Sequence, residues 1–515
     1  MKTQINAGSI GLRALVTGAL ILICQPLIYL FIRASEKSSS ELFSLLTRQK
    51  TLEVLGITMA LLALVVAINV ILGTAIAAGL YYVNIPFPRL LLVVTVLPLA
   101  IPSYVFTYTW IALIPSLRGL WAAMFILSLS TMPYMVLAVT VSFQKIDTSV
   151  IEVARSLGST KAEIFFKVIL PQVRRSISAG ALLCGLYVLS DFGAVSLLNV
   201  ETLTVSIQNL FKSSYDRSAA AIIALLLFFA AALFVAFESS LKGKNFESRG
   251  NEGFQSPLRR IAHPALTVVA TVVIALYAIL AVLIPFYVLL SRYLENPSAV
   301  EFSALSTAAL STIGVAALGA LIAFALSLPL AILATQGENY FASVSEKVIL
   351  MAHALPGVVV GLALVSFGSR LGPLYQSVYL LGFAYAVLFL AKSVASTYGA
   401  LTLVSPQLKE VAATLGESKT NIARRVVFPI AFPNMALGVL LVFLTAMKEL
   451  PATIMLRPTG MDTLATEIWS YAAISRFNEA APYALLLVLI AAVPTFLLTL
   501  PQSSKSGSET KVRMM

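Results

Sequence analysis

An apolar run of about twenty residues recurs along the whole chain, and this limits the possible folds more than any other feature. A bilayer core is about 30 Å thick, and an α-helix crosses it in about 20 residues. Such runs cover residues 11–32, 54–80, 90–113, 119–143, 177–198 and 218–237. They resume at 264–290, 305–334, 348–368, 373–393, 435–456 and 480–500. Twelve runs predict an all-α polytopic membrane protein with about twelve transmembrane helices. Pro98 and Pro356 make two of the runs irregular, because proline removes a backbone donor and breaks the helical ladder. The first run has no Ala-x-Ala-like cleavage site and is long for a signal sequence, so it is expected to stay as a helix.

Composition closes off other classes. Only 11% of the 515 residues are charged and 59% are hydrophobic, whereas a water-facing domain carries about 25% charge. A soluble enzyme, a secreted disulfide scaffold and a disordered chain are excluded. Two cysteines without CxxC spacing, and two histidines, support neither a disulfide framework nor a His-rich metal site. The net charge of +12 reports orientation. With alternating loops, nearly all of the excess falls on the side of the N-terminus, as expected when basic loops stay cytoplasmic. Both termini are therefore expected in the cytoplasm, and no nucleic-acid partner is implied. The Lys/Arg/Glu/Gly-rich stretch 238–262 reads as a cytoplasmic linker between a first half, 1–237, and a second, 263–502, followed by a cytoplasmic tail, 503–515.

The two halves repeat. Glu152-Val-Ala-Arg-Ser-Leu-Gly158 is followed by Pro171, and Glu410-Val-Ala-Ala-Thr-Leu-Gly416 is followed at the same distance by Pro429. Each position in the second copy lies 258 residues after its counterpart. Leu97-Pro98 pairs with Leu355-Pro356 and Asp191 with Glu449 at the same offset, and Thr202-Leu203 pairs with Thr463-Leu464 at 261. Six helices per half give both halves the same orientation, hence a parallel repeat.

Local chemistry predicts the shape of the repeated loops, about 144–176 and 399–432. Asp147 and Ser405 are suited to cap a helix, and Pro406 to its first position. Ser149 with Glu152, and Thr160 with Glu163, have capping-box spacing. A short helix should place Val150, Ala154 and Leu157 on one face, with Leu408, Ala412 and Leu415 in the repeat. Gly158 and Gly416 should end it in a left-handed conformation, and Pro171 and Pro429 should open the next membrane helix. Amphipathic helices resting on lipid headgroups would not need a fixed glycine turn in both copies. Docking into a shaped protein groove would.

These residues resemble the EAA loop of binding-protein-dependent ABC-importer permeases: Glu152, Ala154, Gly158, Ile169 and Pro171, and again Glu410, Ala412, Gly416, Val427 and Pro429. Phe428 replaces the leucine usual before the proline. The segments Leu97-Pro98-Leu-Ala-Ile-Pro102-Ser-Tyr, Ser190-Asp191-Phe-Gly-Ala and Lys448-Glu449-Leu-Pro-Ala-Thr-Ile-Met-Leu-Arg457-Pro are similar to the fused ferric-iron type. Fused thiamine and phosphonate-type permeases share the layout. The resemblance implies a type I ABC-importer permease fold in the bacterial inner membrane. It implies a periplasmic substrate-binding protein and two copies of a separate ATPase that dock on the two loops. No Gly-x-x-x-x-Gly-Lys-Ser/Thr occurs in the chain, so ATP belongs to the partner. No cofactor and no catalytic residue are expected in this chain.

Ionisable residues at membrane depth are functional candidates. Asp191 and Glu449, with Pro98 and Pro356, are expected at the pathway or gate. The paired carboxylates would suit a hard cation such as Fe³⁺, or would serve structure, with Glu449 paired to Lys448 or capping a turn beside Pro451. His353 reads as a local hydrogen-bonding residue. Tyr104, Tyr108 and Trp110 read as an interface belt or as pathway lining. A twelve-span secondary transporter would carry a Gly-x-x-x-Asp-Arg-x-Gly-Arg-Arg-like loop after its second span, where this chain has only Tyr81-Tyr-Val-Asn-Ile-Pro-Phe-Pro-Arg89. A membrane-embedded enzyme would need a nucleophile, base or metal cluster, and none is legible.

Overall fold

The computed structural model describes residues 7–143, 146, 148–213, 217–241, 263–297, 301–335, 341, 344–345, 348, 355–370 and 372–499. These residues form helices joined by short turns. Eight helices are long and apolar enough to cross a membrane: Gly11–Ser35, Gln49–Tyr82, Gly119–Phe143, Arg217–Glu238, Pro264–Glu295, Phe302–Ala334, Val378–Thr402 and Thr420–Ala446. A ninth span results if Pro88–Ala100 and Ser103–Leu113, which meet at 96°, are counted as one. Gly357–Gly368 and Phe477–Ala492 are apolar but shorter.

The described residues thus give eight or nine such helices where the apolar runs predicted twelve, and the shortfall has local causes. Run 177–198 is divided. Its helix, Leu170–Ser190, carries Arg174 and Arg175 near its start and stops where Asp191 turns the chain into a five-residue helix, Gly193–Leu197. Run 435–456 divides in the same way, into Phe428–Ala446 and Pro451–Leu456, although its first piece still counts among the eight as part of Thr420–Ala446. Run 348–368 contributes Gly357–Gly368. A hydropathy reading joins such pieces because the break residues lie within apolar sequence.

The repeat extends to hydrogen bonds. The Leu203 N–H donates to the Thr58 hydroxyl at 3.0 Å, and the Leu464 N–H to the Thr312 hydroxyl at 2.8 Å. Pro102 and Pro356 each stand in extended backbone just before a short, almost wholly buried helix, Ser103–Leu113 and Gly357–Gly368. The partner of Pro356 is therefore Pro102, and the pairing with Pro98 is corrected: Pro98 lies one turn earlier, in the 3₁₀ turn Leu97–Ala100.

Asp147 and His353 lie outside the described residues, as do most of 238–262 and all of 503–515. The helix Arg217–Leu241 continues past 237.

Candidate functional site

The two repeated loops fold alike. In the first, the helix Thr148–Ser156 ends at Gly158, whose φ is +82°. The Gly158 N–H donates to the Arg155 carbonyl at 3.0 Å and the Ser159 N–H to the Ala154 carbonyl at 3.1 Å. In the second, Pro406–Thr414 ends at Gly416, φ +84°. Gly416 donates to Ala413 at 3.0 Å and Glu417 to Ala412 at 3.2 Å. This pair of bonds satisfies the last carbonyls of a helix and requires a residue tolerant of positive φ. Nothing lies within 4 Å of where a side chain on either glycine would begin, so conformation and not space demands glycine.

The caps are specific as well. Ser405 accepts from the Leu408 N–H at 3.4 Å, with Pro406 at the first position. Thr160 and Glu163 close a reciprocal box, the Thr160 N–H donating to Glu163 at 3.0 Å and the Glu163 N–H to the Thr160 hydroxyl at 3.3 Å. The Thr160 amide, reinforced by Lys167 at 3.1 Å and the Thr160 hydroxyl, lowers the Glu163 carboxyl to about 2. Ser149 lies inside its helix, which begins at Thr148. Each loop then widens into a π-helical turn, Ile164–Ile169 and Ala423–Val427. Pro171 and Pro429 follow as second residues of Leu170–Ser190 and Phe428–Ala446, directly after those wide turns.

The two helices present their faces differently from the expected stripe. Ala154 is half-buried and Ala412 buried, whereas Val150, Val153 and Leu157 are exposed, as are Leu408, Val411 and Leu415. Leu157 and Leu415 are both 79% exposed. Glu152 and Glu410 are exposed beside them. Two unpartnered apolar faces, related by the repeat, stand at one end of the bundle.

The pathway candidates converge elsewhere. Pro98, Asp191, Pro356 and Glu449 all line a cavity of about 250 Å³ between the halves. Its walls repeat at the 258 offset: Tyr134 faces the role of Lys392, Tyr187 that of Thr445, Ser190 that of Lys448, and Phe192 that of Leu450. Asp191 accepts hydrogen bonds from the Ser103 hydroxyl and from the Ala194 and Val195 N–H groups at 3.0 and 3.3 Å. Glu449 accepts from the Ala452 and Thr453 N–H groups, both at 3.0 Å, and from the Thr453 hydroxyl at 2.9 Å. Each carboxylate thereby caps the short helix that follows it. The neighbouring glycine permits this approach, since a Cβ on Gly357 would lie 2.4 Å from Glu449 Oε1. Glu449 is the cap suggested by its sequence and not the partner of Lys448. Lys448 instead donates to the Leu99 carbonyl in the other half at 2.7 Å. Among the described residues, no group of three or more His, Cys, Asp or Glu side chains is placed to hold a metal ion.

Lys392, a charge inside an apolar run, escaped the sequence reading, although the rule that picked out Asp191 applies equally to it. Tyr104 lines the cavity, whereas Tyr108 and Trp110 pack inside the bundle against Phe477 and Phe125, so the three do not form an interface belt. Phe192 contacts Trp469 of the other half at 6.0 Å, and both rings line a second cavity of about 390 Å³, while Phe192 also lines the first. The Trp469 ring N–H donates to the Ser196 hydroxyl at 3.2 Å.

Residues 69–242 and 327–502 each match the family described as binding-protein-dependent transport system inner membrane component. The chain belongs to this family. Each matched segment holds one of the repeated loops and one wall of the cavity, so this permease carries two family domains in one chain. It is a multi-pass membrane protein of the inner membrane, a transport component and not an enzyme, and membership implies an ATPase and a binding protein as partners. The permease is 31% identical to an Fe(3+)-transport system permease protein of Haemophilus influenzae over 92% of its own length and 95% of the relative's. It is 33% identical to a probable molybdenum ABC transporter permease protein of Haloferax volcanii, over 36% of this chain and 71% of that one. It is also 27% identical to the chloroplastic sulfate permease 2 of Chlamydomonas reinhardtii, over 42% and 64%.

Proposed function

We propose that this permease carries ferric iron, delivered by a periplasmic binding protein, through the cavity between its halves. The relative that matches it along nearly its whole length supports the substrate. In this reading the twelve apolar runs are twelve spans in two parallel six-helix halves, 1–237 and 263–502, with both termini, the linker 238–262 and the tail 503–515 in the cytoplasm. Two copies of a separate ATPase dock on the coupling loops, bind and hydrolyse ATP, and supply the only cofactor chemistry. Glu152, Ala154, Gly158 and Pro171, with Glu410, Ala412, Gly416 and Pro429, shape the docking elements. Asp191, Glu449, Pro98 and Pro356 belong to the pathway, where they hold the broken helices around the cargo.

The observation that carries the coupling role is the matched pair of glycine-terminated helices with exposed apolar faces. Burying a leucine or valine side chain is worth about 1.5–3 kcal/mol, so an ATPase groove that covers both faces is held to the permease and can transmit its closure. Uptake of radiolabelled Fe³⁺ and of radiolabelled thiamine, compared in cells with and without the chain, tests the substrate. Iron uptake should be lost on deletion and thiamine uptake retained. The reverse pattern would replace iron by thiamine.

A further inference from the structure

The charge pattern of the cavity is asymmetric in a way that bears on the form of the cargo. Two lysines, Lys392 and Lys448, line it, and both belong to the second half. At the equivalent positions the first half has Tyr134 and Ser190. Lys392 lies with its ammonium 5.4 Å from the Phe389 ring centre, and Lys448 rests on the Leu99 carbonyl. Among the described residues no ion pair joins either lysine to a carboxylate. The two acidic side chains in the cavity keep their charge but spend their oxygens elsewhere, because Asp191 and Glu449 each accept from three donors as helix caps. A buried cation without a partner is costly, so such a pair persists where an opposite charge arrives. The first half lines the same cavity with Tyr134 and Tyr187, whose hydroxyls are donors suited to oxygen acceptors, while the Ser190 hydroxyl donates to the Tyr187 carbonyl at 3.0 Å. A bare trivalent cation would meet two ammonium groups and no free carboxylate.

We propose that the cavity takes its cargo as an oxygen-rich anion, so that ferric iron passes in a complex whose oxygen ligands leave it net negative, with Lys392 and Lys448 as counter-charges. The iron part of this statement rests on the function proposed above, and the anionic part rests on the cavity alone. The test uses vesicles containing the complete permease with its ATPase and binding protein. ⁵⁵Fe(III) is offered in three preparations, with ¹⁴C-citrate, with ³²P-phosphate or with ¹⁴C-bicarbonate, and ³⁵S-sulfate is offered separately. One of the three labels should enter with the iron in fixed ratio. Lys392→Gln and Lys448→Gln should each reduce uptake at least tenfold, and Lys392→Arg should restore most of it. Lys392 is the cleaner site because its recorded contact is a ring and not a backbone carbonyl. Iron entering with none of the three labels, or at wild-type rate in both Gln variants, would overturn the anionic cargo and leave iron transport standing. Sulfate entering in a Lys392-dependent manner while iron does not enter would sustain the anion site and remove iron as substrate.

Discussion

At the scale of single residues, one geometric requirement recurs: a backbone or carboxylate placed where only one side chain fits. Gly158 and Gly416 hold φ values of +82° and +84°, which cost an ordinary L-residue about 1–2 kcal/mol. Replacing both with leucine should leave the permease inserted in the membrane. It should uncouple ATP hydrolysis from uptake, because the helix end that fixes each docking face is re-aimed. Unchanged uptake with unchanged substrate-stimulated ATPase in the double variant would remove the docking role. Glu449 ends a membrane helix and caps the next through three bonds, so Glu449→Ala forfeits a cap worth about 0.5–2 kcal/mol and orphans buried donors. A lowered unfolding temperature in detergent is expected, and Gly357→Ala should reproduce it by displacing the same carboxylate. Glu163 behaves differently because it is exposed. Its folded value, about 2, lies below the unfolded value of about 4.3. Its contribution is therefore complete above that unfolded value and vanishes as pH falls through about 2. Hydrogen-exchange protection over residues 160–167, corrected for intrinsic rates, should be constant from pH 8 to 5 and decline only under stronger acid. A decline between pH 7 and 5 would contradict the box.

At the scale of elements, the helices Thr148–Ser156 and Pro406–Thr414 are too short to be stable alone, since isolated helices under about 12–15 residues are marginal in water. Both are held at their C-terminal ends by the glycine turn, the second also by its Ser405 cap, and inward by Ile151 and Ala154 in the first and Ala412 in the second. Their outward residues are free for a partner. Leu157→Asp together with Leu415→Asp should not affect folding, because both side chains are exposed. The pair should weaken retention of the ATPase at least tenfold in co-purification, by loss of the burial each leucine provides. Full retention would place the contact elsewhere. The π-helical turns before Pro171 and Pro429 lie between the docking helix and the membrane helix, where a wide turn with a weaker ladder can absorb a rotation.

At the scale of the molecule, the helix Leu170–Ser190 spans about 30 Å at 1.5 Å per residue. Phe192 and Trp469 therefore lie toward the end of the bundle away from the coupling loops. Together with Tyr108 stacked on Phe477 at 5.7 Å, they join the two halves on that side of the cavity. The expected consequence concerns access. With Cys24 and Cys184 replaced by serine, a cysteine at Ser190 should resist a membrane-impermeant thiol reagent, and adding Trp469→Ala should expose it. Equal reactivity in both backgrounds would show that the ring pair is not a seal.

Much of this was legible before any coordinates. The bilayer demands an apolar helix-length run for each crossing, and the duplicated Glu-to-Gly-to-Pro spacing demands one local geometry twice. Membrane character, the repeat and the shape of the two repeated loops therefore follow from the sequence alone. Those features depend on neighbours within a turn or two of helix. What tertiary structure decided depends on partners hundreds of residues away. The breaks at Asp191 and Ala446 appeared only when their caps could be seen. Pro356 proved equivalent to Pro102 because both precede the same buried helix. Lys448 turned from its neighbour Glu449 to the Leu99 carbonyl of the other half, since Glu449 was already held by the helix it caps. Spacing specifies a turn, but the sign of the charge left free in a cavity is set by which groups have already found their partners.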